Sequence, residues 1–246
     1  MSERPGNKKI KEVRALCERT SARRRTGLFV VEGERGCGEI PASDIREVFV
    51  SEGYKKDHPG IKEDFLLDDK EFAKLSDTQH PQGILVTAVQ RSYRLDDIMG
   101  GELYLLLETI QDPGNLGTIL RTAEAAGVTA VIMSRDCADV YSPKVVRATM
   151  GALFRVPFIY TDDLQEAVRA LRQDGVTVYA AHLDGMLLQD VSMSKRRAFI
   201  IGNEGGGLSD RMAEAADMMI KIPMKGKAES LNAAISAALL SYWNII

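Results

Sequence analysis

Residues 199–208 read FIIGNEGGGL. An apolar run leads into four glycines within six residues. Glycine lets the backbone approach a ligand closely, so the stretch predicts a buried strand that ends in a ligand-binding loop. Neither the dinucleotide fingerprint G-x-G-x-x-G nor the P-loop pattern G-x-x-x-x-G-K-[ST] is present. The acidic Glu204 would oppose a phosphate and suits a hydroxyl, an amine or an arginine.

The chain around this loop alternates apolar strands with helices, which favours a parallel sheet covered on both faces. In such a sheet the ligand lies beyond the carboxyl ends of the strands, where the loops gather. Strands are predicted at 103–109, 130–133, 156–159, 177–181, 197–201 and 219–222. Helices are predicted near 115–126, 143–150, 163–174, 208–216 and 230–243.

A second informative loop lies at residues 108–127, which read ETIQDPGNLGTILRTAEAAG. Asn115 is the predicted N-cap of a helix that Gly127 closes. Helical spacing puts Arg121 on the same face as Asn115, near a helix N-terminus that carries partial positive charge. This arrangement suits an anionic or electron-rich ligand. The alternative is an ordinary surface arginine beside Glu124.

A third loop lies at residues 220–234, which read IKIPMKGKAESLNAA. The pattern predicts a strand that stops at Pro223, a flexible segment, and a helix that begins at Ser230. An alanine-rich side of this helix permits close packing, with Ser230 as a plain cap as the alternative interpretation. A large apolar surface follows toward the chain end, which suits either a dimer contact or packing inside the same domain. Its residues are Leu239, Leu240, Tyr242, Trp243, Ile245 and Ile246.

The first part of the chain is predicted to form a small α/β domain over residues 1–95, ahead of a larger domain over residues 96–246. Its helices are predicted at 7–20 and 68–75, its strands at 28–33, 45–50, 65–67 and 83–89, and a linker at 90–101. Length agrees with this division, because 246 residues suit one large domain or two small ones.

Charge is concentrated near the N-terminus. The net charge of −3 argues by itself against a nucleic-acid partner. Residues 4–25, however, hold nine basic residues against only Glu12 and Glu18. Such a local surplus is an electrostatic footprint for phosphates, with a solvated helix face as the alternative.

Composition excludes several other classes of protein. Cys17, Cys37 and Cys137 are widely spaced and form no C-x-x-C pair, so neither a disulfide framework nor a metal site is expected. No apolar run approaches 18 residues and the N-terminus lacks the apolar stretch of a signal peptide. We therefore expect a cytoplasmic protein that engages no membrane.

The three loops together resemble the three motifs of the SpoU (TrmH-like) RNA ribose methyltransferases of the SPOUT superfamily. They match N-x-G-x-x-x-R, then G-N-E-x-x-G, then I-P-M followed by S-L-N, in order and spacing. The matching residues are Asn115, Gly117 and Arg121; Gly202, Asn203, Glu204 and Gly207; and Ile222, Pro223, Met224, Ser230, Leu231 and Asn232. Residues 141–152 are similar to the family's intervening segment, and residues 7–90 to its RNA-binding N-terminal domain.

The resemblance implies an α/β fold of two parts. The C-terminal part would be a SPOUT-type domain, a parallel sheet with a deep trefoil knot, and the N-terminal part a small α/β RNA-binding domain. The knot would bind S-adenosylmethionine, and the chain would form a homodimer. The implied cofactor-binding residues are Ala181, His182, Gly202, Asn203, Gly205, Gly207, Ile222, Met224 and Leu231.

The implied reaction is methyl transfer to a ribose 2′-hydroxyl of RNA, with large-subunit ribosomal RNA ahead of transfer RNA. A guanidinium is a poor base, so Arg121 is expected to stabilise the developing alkoxide instead. The residues expected to orient it are Asn115, Glu204, Ser230 and Asn232, and those expected to bind RNA are Arg23, Arg24, Arg25, Lys144 and Arg147. The alternatives are a catalytically inactive RNA-binding module of the same fold and a Rossmann-type nucleotide enzyme.

Overall fold

The structure is a computed structural model, and it describes residues 3–203, 205–227 and 230–243. In chain order the helices are α1 (Asn7–Glu18), α2 (Thr20–Thr26), α3 (Glu34–Gly38), α4 (Glu52–Asp57), α5 (Asp69–Leu75), α6 (Pro113–Ala125), α7 (Pro143–Thr149), α8 (Leu164–Gln173), α9 (Asp210–Ala215) and α10 (Ala233–Ser241). The strands are β1 (Leu28–Glu32), β2 (Ile45–Ser51), β3 (Phe65–Leu67), β4 (Ile84–Val89), β5 (Leu103–Leu107), β6 (Ala130–Ser134), β7 (Phe158–Thr161), β8 (Thr177–Leu187), β9 (Arg197–Ile201) and β10 (Met218–Lys221).

The chain forms two compact units, and one of them is discontinuous. The N-terminal unit comprises Met1–Arg91 and Asp139–Phe154, and the C-terminal unit comprises Ser92–Ala138 and Arg155–Ile246. The sequence predicted a single boundary between residues 95 and 96. That boundary stays a prediction, and the packing adds that the segment carrying α7 belongs with the N-terminal unit.

The N-terminal unit is built on a four-stranded sheet in the order β1-β4-β2-β3. Strand β4 is antiparallel to β1 and β2, and β3 is parallel to β2. Helix α1 buries Val13 and Leu16 against this sheet, as its apolar spacing predicts. The short helices α2, α3 and α4 were missed by the sequence analysis, because five to seven residues are too few for an apolar period to show.

The segment 139–154 is held to the rest of the N-terminal unit by aromatic packing and by an ion pair. The ring of Tyr141 lies 4.6 Å from that of Phe29. The guanidinium of Arg23 contacts the carboxylate of Asp139 at 2.8 Å. Residues more than a hundred positions apart in the sequence therefore share one core, a relationship that no local pattern predicts.

The C-terminal unit contains a parallel six-stranded sheet in the order β10-β8-β9-β5-β6-β7. All five residues of β5 are buried, which places side chains on both faces of the sheet inside the core. This confirms the predicted parallel sheet and the α/β class. The trefoil knot stays a prediction. In the described part of the chain, no helix is long and apolar enough to cross a membrane.

Two helices of this unit begin elsewhere than the sequence predicted. Helix α6 begins at Pro113, and the side chain of Asp112, not that of Asn115, caps it by accepting from the Asn115 amide at 2.8 Å. Proline suits a first helical position because its missing N–H has no helical partner there anyway. Helix α10 begins at Ala233 and not at Ser230, because the side chain of Asn232 caps it. Neither Asn115 nor Ser230 therefore caps a helix as predicted.

Strand β8 runs to Leu187 and is much longer than predicted. Its pairing with β10 shifts abruptly, since Ala180 pairs with Met219 and Met186 pairs with the next residue, Ile220. Residues 181–185 therefore have no partner on β10 and bulge from the ladder. A Cβ on Gly185 would lie 2.5 Å from the Ile220 backbone nitrogen, so only glycine permits this close crossing.

Candidate active site

Two of the three motif loops, at residues 199–208 and 220–234, contribute to the lining of one cavity of about 330 Å³ at the carboxyl ends of the strands in the C-terminal unit. This is the position that a parallel α/β sheet favours for a ligand. All nine residues predicted to bind the cofactor line the cavity: Ala181, His182, Gly202, Asn203, Gly205, Gly207, Ile222, Met224 and Leu231. Ser230 lines it too. Their roles stay predictions, while their convergence is a property of the fold.

The sequence analysis missed other residues that line the cavity, namely Leu183, Ile201, Gly206, Leu208, Ile220, Lys221, Ala233 and Ser236. One signal could have found Gly206, Leu208 and Lys221, because they lie within the motif loops at residues 199–208 and 220–234. Leu183 reaches the cavity because residues 181–185 bulge from β8. No sequence pattern predicts that bulge.

The glycine loop, residues 202–208, is folded back on itself to make one wall of the cavity. The backbone of Asn203 and that of Gly207 exchange two hydrogen bonds of 3.0 and 2.9 Å. A Cβ on Gly202 would lie 2.3 Å from the carbonyl carbon of Gly207, and Gly207 itself has a φ of +69°. Larger residues at these two positions would open the fold-back.

This cavity fits the adenosyl and methionine parts of S-adenosylmethionine. Backbone at a glycine-rich turn offers hydrogen-bonding groups at close range, and the side chains of Ile201, Leu208 and Ile222 give an apolar wall for a flat ring. A Cβ on Gly206 would meet no atom within 4 Å, so the loop presents open space there. The chemistry of the lining therefore agrees with the implied cofactor.

Two of the predicted catalytic residues, Asn115 and Arg121, lie on α6, and neither lines the cavity. Arg121 is exposed, and its side chain makes no hydrogen bond or ion pair with another described residue. Asn232 donates from Nδ2 to Oδ1 of Asn115 at 3.0 Å, which joins the loop at residues 220–234 to α6. Ser230 is exposed at the cavity. Glu204, also predicted to be catalytic, lies outside the described residues.

Arg23 was predicted to bind RNA, and the structure gives it a different role. Its side chain is only 3% exposed. The guanidinium donates to the carbonyl oxygens of Leu16 and Cys17 and to the carboxylate of Asp139. Because these partners occupy it inside the N-terminal unit, Arg23 is not available to a phosphate, and the prediction was wrong for this residue.

The other predicted RNA-binding residues remain at the surface of the N-terminal unit. Arg24 and Arg25 are exposed at the end of α2, and Lys144 is exposed at the start of α7. Arg147 is partly exposed and forms an ion pair of 3.0 Å with Asp77. Arg24, Arg25 and Lys144 are thus accessible to an RNA backbone, and their RNA-binding role stays a prediction.

Among the described residues there is neither a cysteine thiol of lowered pKa nor a cluster of metal ligands. Burial raises the pKa of the Cys17 and Cys37 thiols to about 12, with the carboxylates of Asp77 and Glu32 adding to the effect at Cys17 and that of Glu32 at Cys37. Thiols with such pKa values stay protonated and unreactive near neutral pH. Among residues 3–203, 205–227 and 230–243, no three His, Cys, Asp or Glu side chains are grouped as metal ligands.

Comparison with known proteins identifies this arrangement of loops. Residues 102–242 match the profile of the SpoU rRNA Methylase family. The chain is 33% identical to the 23S rRNA (guanosine(2553)-2′-O)-methyltransferase RlmP of Bacillus subtilis, over 96% of this chain and 95% of the relative. The chain belongs to the SpoU family. The resemblance inferred from the three motifs is thus confirmed.

Two solved structures match nearly the whole length of this chain. An AdoMet-bound rRNA methyltransferase from Sinorhizobium meliloti superposes with a TM-score of 0.85 at 30% identity, covering 98% of this chain and 96% of that one. The SpoU methyltransferase AviRb from Streptomyces viridochromogenes, in complex with AdoMet, gives 0.84 at 27% identity and 96% coverage of both chains. Residues 7–86 match an MRM3-like substrate binding domain, so both parts of this SpoU chain have relatives.

Proposed function

We propose that this protein transfers a methyl group from S-adenosylmethionine to a ribose 2′-hydroxyl of ribosomal RNA. The observation that carries the proposal is that two SpoU motifs line one cavity and that the hydrogen bond from Asn232 to Asn115 joins the third motif to α6, the helix that carries Arg121. Curated relatives are named for guanosine 2′-O-methylation of 23S rRNA. A guanosine of that RNA is therefore the target we propose, and it implies a cytoplasmic site of action.

The cofactor supplies an electrophilic sulfonium methyl, so the protein has to position and activate a hydroxyl. The glycine loop and Ile222, Met224 and Leu231 hold the cofactor in the cavity. The guanidinium of Arg121 stabilises negative charge that develops on the ribose oxygen. The planar guanidinium also suits the neighbouring phosphate. Asn115 and Asn232 fix the helix that presents Arg121.

The N-terminal unit supplies RNA affinity in this proposal. Arg24 and Arg25 contact backbone phosphates, with Lys144 adding a third positive charge on the same unit. A 2′-hydroxyl looks the same on every nucleotide, so the choice of target comes from RNA shape and from contacts outside the catalytic cavity.

We also propose that the protein is a homodimer. On α10 the side chains of Ile235 and Leu239 are 51% and 44% exposed, one helical turn apart. Leu240, which the sequence analysis included in the dimer surface, is buried inside its own unit. Ile245 and Ile246 lie outside the described residues. A second copy covering Ile235 and Leu239 would remove this apolar stripe from water.

One experiment decides the main proposal. Purified protein is incubated with labelled S-adenosylmethionine and with 23S rRNA from a strain that lacks the gene, and 2′-O-methylation is mapped by resistance to alkaline cleavage. A single new methylated ribose is the expected result. Tight RNA binding without any methylation, or without cofactor binding by calorimetry, would favour an inactive RNA-binding module. A parallel reaction in EDTA tests the expectation that no metal takes part.

A further inference from the structure

The glycine loop is attached at both ends to the two residues that follow β5. At one end, Asn203 donates from Nδ2 to the carbonyl oxygen of Thr109 at 2.7 Å. At the other end, Ser209 donates from its backbone nitrogen and its hydroxyl to the carboxylate of Glu108, at 2.8 and 2.6 Å. The four residues Glu108, Thr109, Asn203 and Ser209 are called the loop clamp below.

The clamp joins neighbouring strands at the edge where the ligand cavity lies. Strands β5 and β9 are parallel and adjacent, so their carboxyl ends meet. The hydrogen bond from the Glu108 amide to the carbonyl of Ile201 extends their ladder by one residue, at 2.9 Å. Beyond that point the backbone segments that follow the two strands separate, β9 leading into the glycine loop and β5 leading toward α6. The hydrogen bonds of the loop clamp connect these two segments where they separate.

Thr109 holds its place in the clamp at a conformational cost. Its φ is +58°, in the left-handed region that a β-branched residue rarely adopts. Its backbone nitrogen donates to the hydroxyl of Ser134 at 2.9 Å, and its own hydroxyl donates to Asp136 at 2.7 Å. Hydrogen bonds from Ser134 and Thr109 also hold the pKa of Asp136 below its ordinary value, so this carboxylate is ionised at neutral pH. A strained backbone conformation that several hydrogen bonds maintain is typical of a functional site.

Neither Glu108 nor Thr109 lines the cavity, so neither is placed to touch the cofactor. Three residues beyond Thr109, Asp112 caps the helix that carries Asn115 and Arg121. A connection that fixes the glycine loop to this point of the chain therefore fixes the cofactor wall relative to the catalytic helix. Misplacement of about 1 Å between reacting groups can cost on the order of a hundredfold in rate.

We propose that Glu108 and Thr109 are positioning residues, which set the glycine loop against the helix carrying Arg121 so that methyl donor and ribose meet in register. The inference rests on the proposed function, because it assigns the loop to the cofactor. It concerns binding and alignment, and no proton or group passes through the clamp.

The test begins with Glu108→Ala, which removes the acceptor at one end of the clamp. Hydrogen bonds to an ionised carboxylate are roughly twice as strong as neutral ones, so we expect the Kd for S-adenosylmethionine to rise about tenfold by calorimetry. The Kd for RNA stays unchanged. Glu108→Gln keeps an acceptor and recovers at least half of the loss on a logarithmic scale.

A matched control separates alignment from stability. Asp68→Ala removes a capping carboxylate of α5 in the N-terminal unit, where it accepts from the Glu71 amide at 2.8 Å. We expect Asp68→Ala to lower Tm and to leave cofactor affinity unchanged. Asn203→Asp removes the donor at the other end without changing side-chain size. Because both ends hold one loop, the double variant Glu108→Ala/Asn203→Asp should lose less affinity than the two single losses combined.

Hydrogen exchange gives a readout that does not depend on the cofactor. The amides of residues 205–208 should exchange faster in Glu108→Ala and Asn203→Asp than in wild type or Asp68→Ala. If wild type fails to bind S-adenosylmethionine, the proposed function falls and the exchange arm still decides the clamp. Unchanged exchange, or cofactor affinity of Glu108→Ala within twofold of wild type, would overturn the inference.

Discussion

Asn232 donates from Nδ2 to Oδ1 of Asn115 at 3.0 Å, and this hydrogen bond connects the third SpoU motif to the first. The oxygen of the same Asn232 amide accepts from the backbone nitrogens of Ala234 and Ile235, at 2.9 and 3.3 Å, and so caps α10. The side-chain amide of Asn232 therefore makes two kinds of contact, one through its oxygen and one through its nitrogen. Flipping the amide would lose both. The two functions can be separated by mutation.

Asn232→Asp should keep the N-cap of α10 and lose the hydrogen bond to Asn115. A carboxylate accepts from the α10 amides and is favoured by the helix dipole, but it cannot donate to Asn115. We expect an unchanged or slightly raised Tm together with a single-turnover methylation rate lowered about tenfold or more. Asn232→Ala, which loses both functions, should lower both quantities. Full methylation activity in Asn232→Asp would show that the bond to Asn115 is dispensable.

Arg121→Ala should abolish methyl transfer while leaving the Kd for S-adenosylmethionine within a few-fold of wild type. The reason is that Arg121 lies on α6 and does not line the cofactor cavity. Arg135→Ala is the matched control, since Arg135 is another exposed arginine of the same unit, paired with Asp162. A near-normal turnover in Arg121→Ala would refute its catalytic role.

The basic residues of α2 should divide into two groups when they are replaced. Each phosphate contact contributes roughly 0.7–0.9 to the slope of log affinity against log salt, so Arg24→Ala/Arg25→Ala should flatten the slope by about 1.4–1.8. Arg23→Ala should leave the slope alone and destabilise the protein by on the order of 3 kcal/mol, because it strands the carboxylate of Asp139. Fluorescence titration and thermal unfolding measure the two effects. An unchanged slope in the double variant would show that Arg24 and Arg25 contact solvent and not RNA phosphates.

Ile235→Glu/Leu239→Glu should yield a monomer if α10 carries the dimer contact. Charges at these two positions would face the partner's apolar stripe and lose their hydration on association. Val89→Glu is the control, since Val89 is 43% exposed but lies in the N-terminal unit. Sedimentation at micromolar concentration should show a dimer for wild type and Val89→Glu. A monomeric wild type, or a dimeric double variant, contradicts the proposal.

Cys17 should resist alkylation although it is not fully buried. With a pKa of about 12, only about one thiol in ten thousand is ionised at pH 8. Cys37 has the same raised pKa and should behave alike. Iodoacetamide at pH 8, read by mass spectrometry, should label both residues slowly in the native protein and fast in urea. Equal rates in the two conditions would show that the fold does not protect these thiols.

Sequence patterns predicted the parts of the fold whose signals are local. The apolar runs at β5 and β9, and the spacing that buries Val13 and Leu16 in α1, are periodic over enough residues to be read directly. The nine residues that the family resemblance implied as cofactor-binding all line the cavity, and their role stays a prediction. Order along the chain carried this information because parallel strands bring their carboxyl ends to one edge.

What the sequence could not supply depends on distant partners. Arg23 reads as one of three equivalent arginines, and only its contact with Asp139 distinguishes it from the next two. The bulge of residues 181–185 exists because β8 slips against β10, and a register shift leaves no mark in either strand alone. The loop clamp was missed for the same reason, since Glu108 and Ser209 are far apart in the sequence.

The discontinuity of the N-terminal unit bears on how this protein could be dissected or recombined. The chain leaves that unit after Arg91, returns at Asp139 and leaves again after Phe154, so no single cut releases an intact half. A fragment beginning near residue 98 would expose Tyr141 where Phe29 now covers it. An exchange of RNA-recognition modules between relatives would have to carry both pieces together. The N-terminal unit therefore cannot be removed or replaced as one continuous segment. A chimera that exchanges only the first ninety residues would need new contacts with residues 139–154.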